Sequence, residues 1–118
     1  MAVEIWVEKI DGIIMTRMRG LPTEAINREL QNRILQLLDA DGSGLVLYDI
    51  REVEIPPIEA PISQWKIDKE SGPLNLKRAV VVPNEKLAYL AGISFANQDF
   101  RVFYHDIGSA ISWLKGNS

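Results

Sequence analysis

At 118 residues, with 47% apolar and 25% charged side chains, the chain can bury one core and is too short for two ordinary ones, so a single ordered domain is expected over residues 1–118. Its net charge of −3 and the lack of a basic run argue against nucleic acid as a partner, because sequence-independent binding needs a cationic surface to displace counterions from phosphates. Cysteine is absent, which removes disulfides, thiolate metal sites and cysteine nucleophiles.

The opening stretch MAVEIWVEKIDG has glutamates where a secretory leader has cations, and no apolar run reaches membrane-spanning length. A cytoplasmic protein is expected, with peripheral contact at the inner membrane left open. Glu4 to Lys9 and Ile13 to Arg19 are β-rich runs separated by Asp11-Gly12, a pair suited to the left-handed backbone of a tight turn, so the chain opens with an antiparallel hairpin. The mixed pattern of the second arm, Ile13 to Arg19, suits a strand near the sheet centre.

Thr23 is placed to cap a helix in which Ile26, Leu30, Ile34, Leu37 and Leu38 form one apolar stripe. The helix ends in Asp39-Ala40-Asp41-Gly42-Ser43-Gly44, whose spacing imitates the start of a calcium-binding EF-hand loop. The twelfth position is Ile50 where a bidentate glutamate is required, and a strand, Leu45 to Ile50, occupies the place of the exiting helix. A helix-ending turn is therefore read here.

Arg51 to Pro61 is the least regular segment, its three prolines forbidding a continuous helix or a central strand. A short helix is predicted to begin at Pro61 and run to about Glu70, with Ile62 and Trp65 sharing one side with Lys66 or Lys69, before Ser71-Gly72-Pro73 breaks it. Hung between such breaks, it reads either as a mobile flap or as a fixed covering helix. Arg78 to Val82 has the near-continuous apolarity of a strand covered on both faces, and Asn84 caps the helix that carries Leu87, Leu90 and Ala91. Phe100 to Tyr104 is the last strand. Asp106 caps a closing helix with Ile107, Ala110, Ile111 and Leu114 buried and Trp113 at the edge.

The phrases KRAVVVPNEKLAYLAGISF and FRVFYHDIGSAISWL resemble the SpoIIAA-like family of small bacterial STAS-like domains. The match rests on the Lys-Arg strand, the Arg-Val-Phe strand, the acid capping the last helix, and the closing Ala110, Trp113 and Leu114. The resemblance implies an α/β fold with a mixed five-stranded sheet, made of an N-terminal antiparallel hairpin and parallel C-terminal strands, with about four helices. It also implies likenesses to phosphorylatable anti-sigma-factor antagonists and to lipid-binding domains of the Sec14 (CRAL-TRIO) kind. In those antagonists a serine directly after an aspartate opens the helix that follows the third strand. Here Asp49-Ile50-Arg51-Glu52-Val53 holds no hydroxyl and the first beyond it is Ser63, so the phospho-switch is not carried over.

Ligands of open parallel sheets bind outside the carboxyl ends of the strands, which selects Asp49, Arg51, Asn84, His105 and Asp106 as the edge of a pocket. His105, the single histidine, sits beside Asp106 and lacks an evident nucleophile, so catalysis is not expected. Ile58, Ile62 and Trp65 of the proline-flanked helix are read either as ordinary core or as the cover of an apolar pocket. The resulting expectation is a non-enzymatic binder of a small apolar or anionic ligand, lipid included. The alternative is a regulatory protein–protein module. No metal or cofactor is expected, and a homodimer through Trp6 or Trp113 stays open.

Overall fold

A computed structural model describes residues 3–72 and 74–116 of the chain. Asp11 and Gly12 both have positive φ (51° and 80°), which closes the two-residue turn between β1 (Glu4–Ile10) and β2 (Ile13–Gly20). The elements then follow as α1 (Glu24–Gln36), β3 (Ser43–Val53), α2 (Glu59–Glu70), β4 (Asn75–Val82), α3 (Glu85–Ser94), β5 (Phe100–Tyr104) and α4 (Ile107–Leu114). The five strands form one sheet in the order β1-β2-β3-β4-β5. β1 and β2 are antiparallel, and every other neighbouring pair is parallel. This is the mixed α/β architecture expected from the sequence.

Strand parity divides the core. Ile14, Met18, Val46, Tyr48, Val80 and Val82 project to one face, where Leu30 and Ile34 of α1 and Leu87 and Leu90 of α3 cover them. Ile13, Leu47, Ala79 and Val81 project to the other, against Ala110 and Leu114 of α4. The helix α2 joins the first layer and packs against both α1 and α3.

Among the boundaries that differ from the sequence reading, three have a visible physical cause. β3 continues past Ile50 to Val53 because a register shift between Arg17 and Arg19 lets Glu52 and Val53 pair with Arg19 and Gly20. Arg17 and Arg19 both pair with Glu52, so charges that suggested a loop instead line a solvated strand end. β4 begins at Asn75, three residues before the apolar run, where Asn75 and Leu76 pair with Ser43 and Gly44. Finally, α2 starts at Glu59 and holds Pro61 within its first turn, where a missing N–H costs no intrahelical bond. Of the break after α2, Ser71 and Gly72 are seen, Gly72 with φ 78°, and Pro73 lies outside the described residues. Among the described residues, no helix is long and apolar enough to cross a membrane.

Candidate functional site

The side chains drawn from the carboxyl ends of the strands are engaged locally. Asp49 and Arg51 stand two apart on β3, on the α4 side of the sheet, and form a bidentate pair with Arg51 Nε and Nη2 each 2.9 Å from a carboxylate oxygen. Burial pushes the Asp49 carboxyl up, but the Arg51 hydrogen bonds and charge, helped by Arg17, more than reverse this and hold it below the usual carboxylate range. Asn84 Oδ1 accepts from the Leu87 N–H at 2.9 Å and caps α3. Asp106 Oδ1 accepts from the Ser109 N–H at 3.0 Å and its Oδ2 from the Ser109 hydroxyl at 2.6 Å, capping α4. The Ser109 hydroxyl, and then its N–H, lower the Asp106 pKa. His105 is exposed at a positive-φ position (59°), its N–H donating to the Val82 carbonyl at 3.0 Å. Capping makes a direct prediction for α3. Asn84→Ala should lower folding stability by about 1 kcal/mol in chemical denaturation while Asn84→Asp largely retains it; no loss in the alanine variant would free the side chain for another role.

A small apolar cavity, partly open to solvent, lies elsewhere, beneath α2. Its volume is about 100 Å³, and it is walled by Met18, Tyr48 and Val80 from the sheet, Asn27 and Leu30 from α1, and Leu87, Leu90 and Ala91 from α3. Phe95 also lines it, and α2 forms the roof through Ala60, Pro61 and Gln64. The helix is thus turned relative to the apolar side that its sequence suggests. Ile58 and Ile62 face outward, 47% and 39% exposed, whereas Pro61, Ile67 and Asp68 are buried. Trp65 is half-buried at a second, larger concavity of about 550 Å³ with a mixed polar and apolar lining, at the amino ends of β4 and β5, and the Lys69 ammonium is 4.2 Å from its ring centre. The structure therefore brings none of Asp49, Arg51, Ile58, Ile62, Trp65, Asn84, His105 or Asp106 to the apolar cavity.

What turns α2 is a polar cluster. Asp68 points inward to Arg78 on β4, Nη2 to Oδ1 3.4 Å, and each side chain is only 3% exposed. Gln98 Nε2 lies 3.4 Å from the other carboxylate oxygen. The guanidinium stands 5.2 Å from the centre of the Phe95 ring, which in turn packs 5.0 Å from Tyr48. Burial raises the Asp68 pKa against the opposing pull of Arg78 and Gln98, with Gln64 and Gln31 helping them. Burial likewise raises that of the Tyr48 phenol; the charge of Arg78 and a hydrogen bond from its side chain oppose that rise, and the charge of Asp68 adds to it. Gln31 Oε1, Tyr48 Oη and Arg78 Nε make no hydrogen bond of good geometry among the described residues, although the Arg78 side chain stands close enough to the Tyr48 phenol to hold its proton less tightly. The sequence reading placed Tyr48 and Arg78 in strands and assigned them no role. A signal existed for Arg78: at period two it shares a face with Leu76, Val80 and Val82, so its charge had to be buried and partnered.

Further polar ties fasten α2 to α1. Arg28 Nη1 binds Glu70 Oε2 at 2.7 Å, the Ser63 hydroxyl donates to Glu24 Oε1 at 3.1 Å, and Gln31 Nε2 meets the Ser71 hydroxyl at 3.2 Å. In the turn after α1, Ser43 Oγ donates to Asp41 Oδ1 at 2.6 Å and Lys9 pairs with Asp39 at 3.0 Å, so the calcium-like spacing serves the turn.

The same architecture is found in solved proteins. An anti-sigma factor antagonist from Mycobacterium paratuberculosis aligns at a TM-score of 0.67 and 17% identity, covering 97% of this chain and 95% of its own. An uncharacterised protein with a SpoIIAA-like fold from Shewanella loihica aligns at 0.69 and 18% identity, covering 95% of this chain and 93% of its own. The fold is SpoIIAA-like. No protein-family model and no curated protein sequence matches the chain. Within this SpoIIAA-like frame the helix after the third strand is α2, and its hydroxyl, Ser63, lies past the first turn and is engaged by Glu24.

Proposed function

We propose that this SpoIIAA-like protein is a non-enzymatic cytoplasmic binding domain that takes a small, mainly apolar ligand in the cavity beneath α2. The observation that carries the reading is the cavity itself. Its space of about 100 Å³ is lined almost wholly by apolar side chains and bordered by small residues, Ala60 and Ala91, where larger ones would fill it. The roof supports the same reading. α2 fully buries few apolar side chains and is fastened mainly by ion pairs and hydrogen bonds, which re-form with water when a helix lifts more readily than apolar contacts do. The outward Ile58 and Ile62 give this cover an apolar outer edge that could rest on a membrane surface.

Titration with toluene, followed by methyl NMR, tests the proposal. The signals of Leu30, Leu87 and Leu90 should shift saturably and those of Ala110 and Leu114, beneath α4, should not. Uniform or absent shifts would dispose of the cavity as a binding site.

A second reading, a regulatory protein–protein module, draws on the fold shared with an anti-sigma factor antagonist and on exposed apolar side chains where β2 and β3 leave the sheet. There Glu54 N–H donates to the Gly20 carbonyl, bringing the flanks of Leu21 and Ile55 together, and both side chains are exposed. With Ser63 bound to Glu24 inside α2, such a module would work without a phosphorylatable serine at the helix start.

A further inference from the structure

The helix α2 is unevenly fastened. In its carboxyl-terminal half Ile67 is buried, Asp68 pairs with Arg78 in the interior, Glu70 binds Arg28, and Ser71, just past the last turn, meets Gln31. The amino-terminal half, Glu59 to Gln64, buries only Pro61 fully. Its side-chain hydrogen bond to another element, among the described residues, is the one from Ser63 to Glu24 at the surface. The helices α1, α3 and α4 each begin with a side-chain cap, whereas Ile58 supplies none to α2. The bond from the Ile62 N–H to the Ile58 carbonyl is correspondingly long, 3.4 Å, and Pro56 and Pro57 separate this end from β3. The residues that roof the cavity, Ala60, Pro61 and Gln64, all belong to this loosely held half. On the same side Pro22, Val53 and Pro56 line the cavity, next to exposed Leu21 and Ile55.

We propose that the amino-terminal half of α2 is the gate of the cavity and swings on a fixed carboxyl-terminal half anchored by Asp68 and Arg78. This rests on the cavity reading above and adds the route by which a ligand enters. A ring that fills about 100 Å³ must displace part of the wall to pass, and the segment with the fewest buried contacts yields first. Lifting Glu59 to Gln64 breaks one exposed side-chain bond and uncovers Pro61. Lifting the other half would draw Asp68 away and leave the Arg78 guanidinium buried without its counter-charge, a much costlier step. The entrance therefore opens between the start of α2 and the segments at Pro22 and Pro56, not toward Trp65.

The test follows toluene exchange by methyl NMR and amide hydrogen exchange in the wild-type protein, Ser63→Ala and Glu70→Gln. Both substitutions lie on the surface of the helix and suit its backbone, so both variants should fold. Ser63→Ala removes the tie of the gate. It should raise the toluene on-rate and off-rate together by about two- to fivefold and leave the dissociation constant within about twofold, since the closed complex keeps its contacts. Glu70→Gln, which weakens the anchored half, should leave both rates within about twofold. The amides of Gln64 and Trp65, bonded to carbonyls inside the gate, should be at least about tenfold less protected than those of Lys69 and Glu70. Even protection along α2, or toluene rates that respond equally to the two substitutions, or to neither, would overturn the gate while saturable shifts at Leu30, Leu87 and Leu90 kept the cavity reading intact. Absent toluene shifts would remove the cavity reading and the gate with it.

Discussion

Replacing Arg78 with Met should cost about 3–5 kcal/mol of folding stability near neutral pH, the effect of stranding the Asp68 carboxylate in the interior. Methionine preserves most of the side-chain length over Phe95 and removes the charge with its N–H donors, so the loss reports the missing counter-ion more than a hole. Its pH dependence follows from the direction of the Asp68 shift. The folded carboxyl keeps its proton to higher pH than the unfolded one, so the stability tied to this group is fully present below the unfolded pKa and is lost as pH rises through the folded value. Without Arg78 that loss deepens, and the deficit of the variant should be largest at about pH 7 and shrink toward about pH 4 as Asp68 takes up its proton. The double variant Asp68→Leu/Arg78→Met should recover most of the deficit, because an apolar pair avoids the desolvation of both ions. Urea denaturation of the three proteins at the two pH values measures all of this. A single-variant loss below about 1 kcal/mol, or one that does not change with pH, would show that the pair does not hold α2 in its turned position.

Ala91→Leu should close the cavity. Ala91 is buried on α3 between Leu87 and the end of the helix, its side chain lines the void, and leucine adds three carbons against about 100 Å³ of free space. Filling should raise stability by about 1 kcal/mol, because the added apolar side chain is taken out of water against Leu87 and Leu90. It should also weaken toluene at least tenfold. The two effects together separate a filled site from a damaged one, since a variant that lost binding by unfolding would be less stable. Unchanged toluene affinity would place the binding somewhere else.

Much of this architecture could be read from local signals. The Asp11-Gly12 turn, the caps at Thr23, Asn84 and Asp106, and the uninterrupted apolarity of β4 depend on residues a few positions apart, and the structure contains each of them. The caps also show why the candidate site was harder to read. The carboxyl ends of parallel strands gather polar side chains because helices begin there, and Asn84 and Asp106 are occupied with that task. The turn of α2 was hidden for a different reason. Hydrophobic periodicity selects the side bearing Ile62 and Trp65, and the structure buries the side bearing Pro61, Gln64 and Asp68, drawn in by an arginine on another element. Helical periodicity carries no record of such a partner, while β4 did record it, as one charge on an otherwise apolar strand face. The extension of β3 to Val53 was concealed by its charges, which pair across to β2 in place of ending the strand.

The most direct measurement of ligand binding beneath α2 is native mass spectrometry of freshly purified wild-type protein beside Ala91→Leu, each compared with its denatured mass. The account predicts a non-covalent mass excess on the wild-type chain, retained from the cell or acquired on incubation with toluene, and its loss in Ala91→Leu. A wild-type mass equal to the bare polypeptide both before and after incubation, or an excess that Ala91→Leu retains in full, would contradict it.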